Sequence, residues 1–145
     1  MTEELRILVV VSNSIRLILN KQISYELHMT QEQEDVIKRA YAAFNERNID
    51  TVLSLMHPDV HWPNGWEGGY VTGHEQVRKY WTRQWKEINP KVYPVSIKEE
   101  NGQIEVEVHQ VAKDLQENVL FDGIVKHIYT FDEGKIKSME IVKDE

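Results

Sequence analysis

The chain contains no cysteine among its 145 residues. Disulfides, thiolate nucleophiles and cysteine-based metal sites are therefore excluded, and redox chemistry says nothing about compartment. Glycine and proline are few, 7 and 4 residues; they mark turns, and no internal repeat or low-complexity stretch accompanies them. Basic residues are outnumbered, 17 Lys and Arg against 24 Asp and Glu, for a net charge of −7. Nucleic acid and anionic membrane both require a basic face, so neither is an expected partner. Long apolar runs are missing as well. In the apolar N-terminal stretch the longest is Ile7 to Val11, far short of a membrane span. The opening "MTEELR" carries two acids and no small-residue cleavage site follows, so no secretory signal is expected and the expected location is cytoplasmic. Phosphate-binding glycine loops, nucleophile elbows and dinucleotide motifs are also lacking.

What is present fits one globular domain: 41% hydrophobic and 28% charged residues, with enough mass for a core. Residues 1–28 differ from the rest. "LRILVVVSNSIRLILN" is apolar and β-branched, broken by Ser12, Asn13 and Ser14. It reads as an N-terminal extension, either an ordered extra helix or strand or a loose tail. The main domain is expected over 29–145.

From Met29 the pattern is helical. Thr30 and Gln33 form a capping-box pair, and Ile37, Ala40, Tyr41 and Phe44 recur at helical spacing to about Arg47. A short second helix carries Val52, Leu53, Leu55 and Met56 and is expected to stop at Pro58. Asp59 to Trp62 reads as a strand, and "NGWEGGYVTG" as a glycine-rich loop. Thr72 with Glu75 opens a third helix with the stripe Val77, Tyr80, Trp81, Gln84, Trp85 and Ile88. After Pro90 the period becomes two. Four strands are separated by turn signals at Asn101-Gly102, Gln116-Glu117 and Glu133-Gly134. Helices followed by an antiparallel meander predict an α+β domain with the helices on one sheet face.

A turn centred between Gln116 and Glu117 sets a register. Ile104, Val106, Val108, Val125, His127, Tyr129 and Phe131 then share one face; Glu105, Glu107, His109, Lys126 and Ile128 share the other, with Glu107 opposite Lys126. An apolar face backed by an opposite-charge pair is what a correct register gives, and a one-residue slip destroys both. His127 therefore points inward and His109 outward. Two readings of His127 follow: a core histidine bonded to a nearby polar group, or the polar group of a pocket. Burial lowers a histidine pKa and leaves a neutral ring in either case.

The stretches "AYAAFNERNIDTVLSLMHPDVHWPN", "GYVTGHEQVRKYW" and "HIYTFDEGKIKSME", in this order and spacing, resemble the nuclear-transport-factor-2-like superfamily. It includes ketosteroid isomerase, SnoaL-type polyketide cyclases and limonene epoxide hydrolase. The resemblance covers roughly residues 30–142 and implies a conical barrel: three N-terminal helices packed on a curved, mainly antiparallel β-sheet with an internal pocket. It also implies a homodimer. The isomerases place a general-base aspartate on the first strand, where this chain has Trp62. Their oxyanion-hole tyrosine falls at Ala40, beside Tyr41. Their second oxyanion-hole acid precedes "GKI", where His127 stands, and SnoaL-type cyclases hold a catalytic aspartate at that place. Replacement of both the aspartate and the tyrosine speaks against steroid isomerisation. No buried arginine matches the Asp–Arg–Asp group of limonene epoxide hydrolase.

The expected function is thus a small pocket protein that binds a compact, largely apolar or carbonyl-containing molecule, with His127 as candidate general acid or base. If it is an enzyme, it is expected to be a cofactor-independent isomerase, cyclase or hydrolase. The alternative is a non-catalytic binding or dimerisation module. The expected pocket residues are Tyr41, Trp62, Val106, Val108, Val125 and Tyr129, with Trp66 and Tyr70 at the rim. Glu140 either orients His127 or faces solvent. Trp81 and Trp85 read as core. His57 and His61 have metal-ligand chemistry, but Pro58 prevents convergence at helical spacing, so no metal is expected. The expected dimer face is the outer sheet surface with Glu105, Glu107, His109 and Val111.

Overall fold

The computed structural model describes residues 3–143, with side chains described for 11–22 and 31–143. The chain forms two compact units, Met1–Glu32 and Gln33–Glu145. Helix α1 spans Glu3–Asn45. In the first unit it leaves Val11, Ile15 and Ile18 exposed. Thr30, expected to cap a helix, is itself helical. No glycine or proline occurs before that point to break the helix. No helix among the described residues is long and apolar enough to cross a membrane.

In the second unit the expected stripe of α1 is the buried one, with Ile37, Ala40 and Tyr41 in the core and Phe44 packed against it. Asn45 ends the helix by pairing with the Val92 backbone in both directions, at 2.7 and 2.9 Å. Helix α2, Ile49–Ser54, is capped by the Asn48 side chain, which accepts from Thr51 N at 3.2 Å. It ends at Leu55, before Pro58 is reached. Pro58 instead lies in strand β1, Met56–Pro63, a longer strand than expected.

The glycine-rich segment holds an unexpected short strand, β2, Tyr70–Thr72, paired antiparallel with β1. Gly68 and Gly69, with φ of 89° and 78°, supply the left-handed turn that returns the chain. Helix α3, Gly73–Gln84, follows. Its Thr72 cap works differently from a Thr–Glu box: the Gln76 side chain accepts from Thr72 N at 2.8 Å. Ile88 has left the helix and opens β3, Ile88–Glu100. Strands β4, Gln103–Asp114, β5, Val119–Asp132, and β6, Lys135–Lys143, complete the meander.

The six-stranded sheet has the order β2-β1-β6-β5-β4-β3, antiparallel except for the β1–β6 pair. Asn101-Gly102 and Glu133-Gly134 make two-residue turns with positive φ at both positions, the geometry that matches strand twist. Asp114 holds the remaining hairpin, accepting from Gln116 N and Asn118 N at 2.9 Å each. Ile104, Val106, Glu107 and Val108 pair with Tyr129, His127, Lys126 and Val125, the expected register. The ion pair of Lys126 is diagonal rather than direct, to Glu105 at 3.5 Å. Register shifts that leave one extra residue in each of β3, β5 and β6 bend the sheet. The concave face takes the helices and the core. This is an α+β cone.

Candidate functional site

Between the helices and the inner sheet face lies a cavity of about 660 Å³, within the range of small-molecule sites. Its wall carries many aromatic side chains, Tyr41, Trp62, Trp66, Trp81, Phe121 and Tyr129 among them. The Trp62 ring stands edge-on to Trp81 at 5.8 Å and tilted against Tyr129 at 6.3 Å. Such contacts fix ring orientations beyond what area burial gives.

His127 lines this cavity and is 5% exposed. Its Nδ1 lies 2.7 Å from the Tyr41 hydroxyl, which in turn accepts from the Tyr129 hydroxyl at 2.7 Å. Its Nε2 is buried with no hydrogen-bond partner among the described residues. Proton bookkeeping selects the tautomer. If Tyr129 donates to Tyr41 and Tyr41 donates to Nδ1, every phenol proton is used and only Nε2–H is left over. If Nδ1 carried the proton, one phenol proton and the Nε2 lone pair would both lack partners. The first arrangement leaves fewer orphans, so Nε2 is the protonated nitrogen. Burial lowers the His127 pKa to about 4, so the ring is neutral at neutral pH. Burial likewise raises the Tyr41 and Tyr129 phenols, which stay protonated.

Tyr41, Trp62, Val125 and Tyr129 line the cavity with His127, and Trp66 and Tyr70 also contribute to its wall. Val106 and Val108, expected in the pocket, do not line it. Both are fully buried in the core. Glu140 does not orient His127. It is exposed at the edge of the cavity and accepts from the Tyr70 hydroxyl at 2.6 Å. Tyr41 does the orienting, a role that sequence reasoning gave to no residue of α1. The signal was available, since Tyr41 neighbours the Ala40 position. Other cavity residues not anticipated are Gln84, whose amide donates to the Tyr80 hydroxyl at 3.1 Å, and Lys143 at the end of β6.

Three further histidines are engaged elsewhere. His61 stacks on Tyr70 at 4.3 Å, His57 lies 3.5 Å from Asp132, and His109 contacts Asp122 at 2.6 Å. Among the described residues no group of three or more His, Asp or Glu is placed to hold a metal ion.

Residues 37–139 match the family model of a SnoaL-like domain. No curated protein matches the sequence. Among solved structures, TerC co-crystallised with polyporic acid is 26% identical, with a TM-score of 0.69, over 78% of this chain and 92% of that one. An NTF2-like protein from Burkholderia pseudomallei is 21% identical with a TM-score of 0.69, over 78% and 91% of the two chains. A candidate polyketide cyclase from Xanthomonas campestris shares the fold at 15% identity and a TM-score of 0.65, over 79% and 91%.

Proposed function

The chain belongs to the SnoaL-like domain family, and from that premise we propose that its cavity binds a compact, largely aromatic molecule whose carbonyl oxygen accepts a hydrogen bond from His127 Nε2–H. One observation carries this reading. A buried imidazole has one nitrogen fixed by a chain of two tyrosines, while the other, beside an aromatic cavity, has no partner among the described residues. An unpartnered buried donor costs roughly 1–3 kcal/mol. A ligand oxygen recovers that cost on binding.

In a reaction, this arrangement suits polarisation of a carbonyl better than delivery of a proton. With a pKa of about 4, His127 is neutral near pH 7 and is a weak base. Handing its Nε2 proton to substrate would require a phenol proton to follow, leaving a buried phenolate that desolvation opposes. A fixed neutral donor aimed at a developing oxyanion needs no such transfer. The resulting class is a cofactor-independent isomerase or cyclase in which the substrate's own acidity does much of the work. Binding without turnover is a second reading. It is favoured by Glu140, the one carboxylate among the described lining residues, being exposed and engaged with Tyr70.

The test is titration with polyporic acid and with the neutral ketone 2-acetylnaphthalene, followed by quenching of the tryptophans in the wall. Both should bind, and His127→Phe should weaken the ketone about tenfold, the worth of one buried hydrogen bond. Failure of both to bind, or equal binding by the variant, overturns the reading.

We propose in addition that the chain is a homodimer through the outer sheet face, and that residues 1–28 are an extension dispensable for the folding of 29–145. A chain starting at Met29 should keep the cooperative melting transition of the full chain.

A further inference from the structure

We infer that Lys143 makes the cavity selective for an anionic ligand, an oxygenated aromatic carboxylate whose acid group sits at the mouth while its other oxygen reaches His127. The inference deepens the binding reading above and rests on it.

The placement follows from strand register. On β5 and β6, His127 pairs with Ile141 and Val125 with Lys143. Alternate residues of a strand share a face, so Lys143 lies on the cavity side with Ile141, roughly 7 Å further along the strand. All four residues line the cavity. His127 is buried, whereas Lys143 is exposed at the end of its strand. The imidazole is therefore deep and the ammonium is at the opening, with Val125 and Ile141 between them.

Charge completes the case. Among the described lining residues Lys143 carries the sole positive charge, and no described carboxylate lies within ion-pair distance of it. The other charged lining residue, Glu140, alternates with Ile141 and Lys143 on β6 and reaches the same cavity beside Tyr70, whose hydroxyl donates to it. An acidic protein of net charge −7 repels anions over most of its surface. Lys143, a cation with no counter-ion among the described residues, gives them one favourable approach beside the opening. Because the site is exposed, its contribution is modest and sensitive to salt.

The experiment compares 6-hydroxy-2-naphthoic acid with its carboxamide, which keeps the rings and the hydroxyl but carries no charge. Wild-type protein should bind the acid about fivefold more tightly than the amide at low salt, and the preference should shrink in about 1 M salt. Lys143→Met should abolish the preference by bringing the acid down to the affinity of the amide. Lys143→Arg and Glu140→Gln should both retain it. Lys143→Gln serves as a second neutral variant should the Met variant fold poorly, fold being checked by thermal melting. Equal binding of acid and amide by the wild type, or a preference that survives both neutral substitutions, overturns the assignment of Lys143 while leaving the aromatic cavity standing. If neither compound binds, the cavity reading fails, and this inference with it.

Discussion

Tyr41 on α1 and His127 on β5, 86 positions apart in the chain, meet hydroxyl to Nδ1 at 2.7 Å. The contact ties the helix layer to the inner sheet face and does so with groups that could each have been apolar. Tyr129 extends it by donating to Tyr41. Chains of hydrogen bonds in a low-dielectric interior polarise one another, so the last donor, Nε2–H, gains in strength from the two behind it.

The three groups are not equivalent in cost. Tyr41→Phe removes the acceptor of Tyr129 and the donor to Nδ1 together, leaving two buried groups without partners. Tyr129→Phe removes one donor and leaves Tyr41 able to serve Nδ1. Urea unfolding should show Tyr41→Phe destabilised by about 2–4 kcal/mol and Tyr129→Phe by about 0.5–1.5 kcal/mol. Equal losses would contradict the donor order assigned to the chain.

The same buried histidine makes stability depend on pH. Its pKa is lowered from 6.5 to about 4 in the folded state by desolvation. Above pH 6.5 both states are neutral and the group exerts no pH effect. Between 6.5 and 4 the unfolded state binds the proton and the folded state does not, so stability falls as pH falls, by up to about 3 kcal/mol. His127→Phe cannot titrate and should lose less stability than wild type between pH 7 and pH 4.5. Parallel losses measured by denaturant unfolding would place the histidine in contact with water.

Much of this was legible in the sequence, and the reasons are specific. The β4–β5 register followed from one turn and one apolar face, because a slip would have turned Val106 and Val108 to solvent. Asn101-Gly102 and Glu133-Gly134 announced their turns by residue type. What was hidden depended on tertiary partners. The β2 strand is held by its pairing with β1, and three residues carry no periodicity of their own. The reach of Tyr41 depends on how α1 is rotated over the sheet, which helical spacing leaves open within one position. Val106 and Val108 share a face with His127, and only the packing of the helices decides which part of that face stays uncovered.

The outer face offers an assembly test. Tyr93, His109 and Ile124 lie side by side across three strands, and Tyr93 and Ile124 are 48% and 46% exposed. Burial of such a patch favours association. Light scattering at micromolar concentration should give the mass of a dimer, and Ile124→Glu should shift it toward the monomer by placing like charges across a symmetric contact. A monomeric wild type would refute the dimer.

The most direct test concerns His127 Nε2. In protein labelled with ¹⁵N-histidine, the His127 signals, identified by their loss in His127→Phe, should show Nδ1 as the unprotonated nitrogen and Nε2 as the protonated one at neutral pH. On addition of 2-acetylnaphthalene, the Nε2–H proton should move downfield as it gains an acceptor, with Nδ1 keeping its bond to Tyr41. A ligand that fills the cavity and leaves the Nε2–H signal where it was, or a His127 protonated at Nδ1 from the start, would contradict the account.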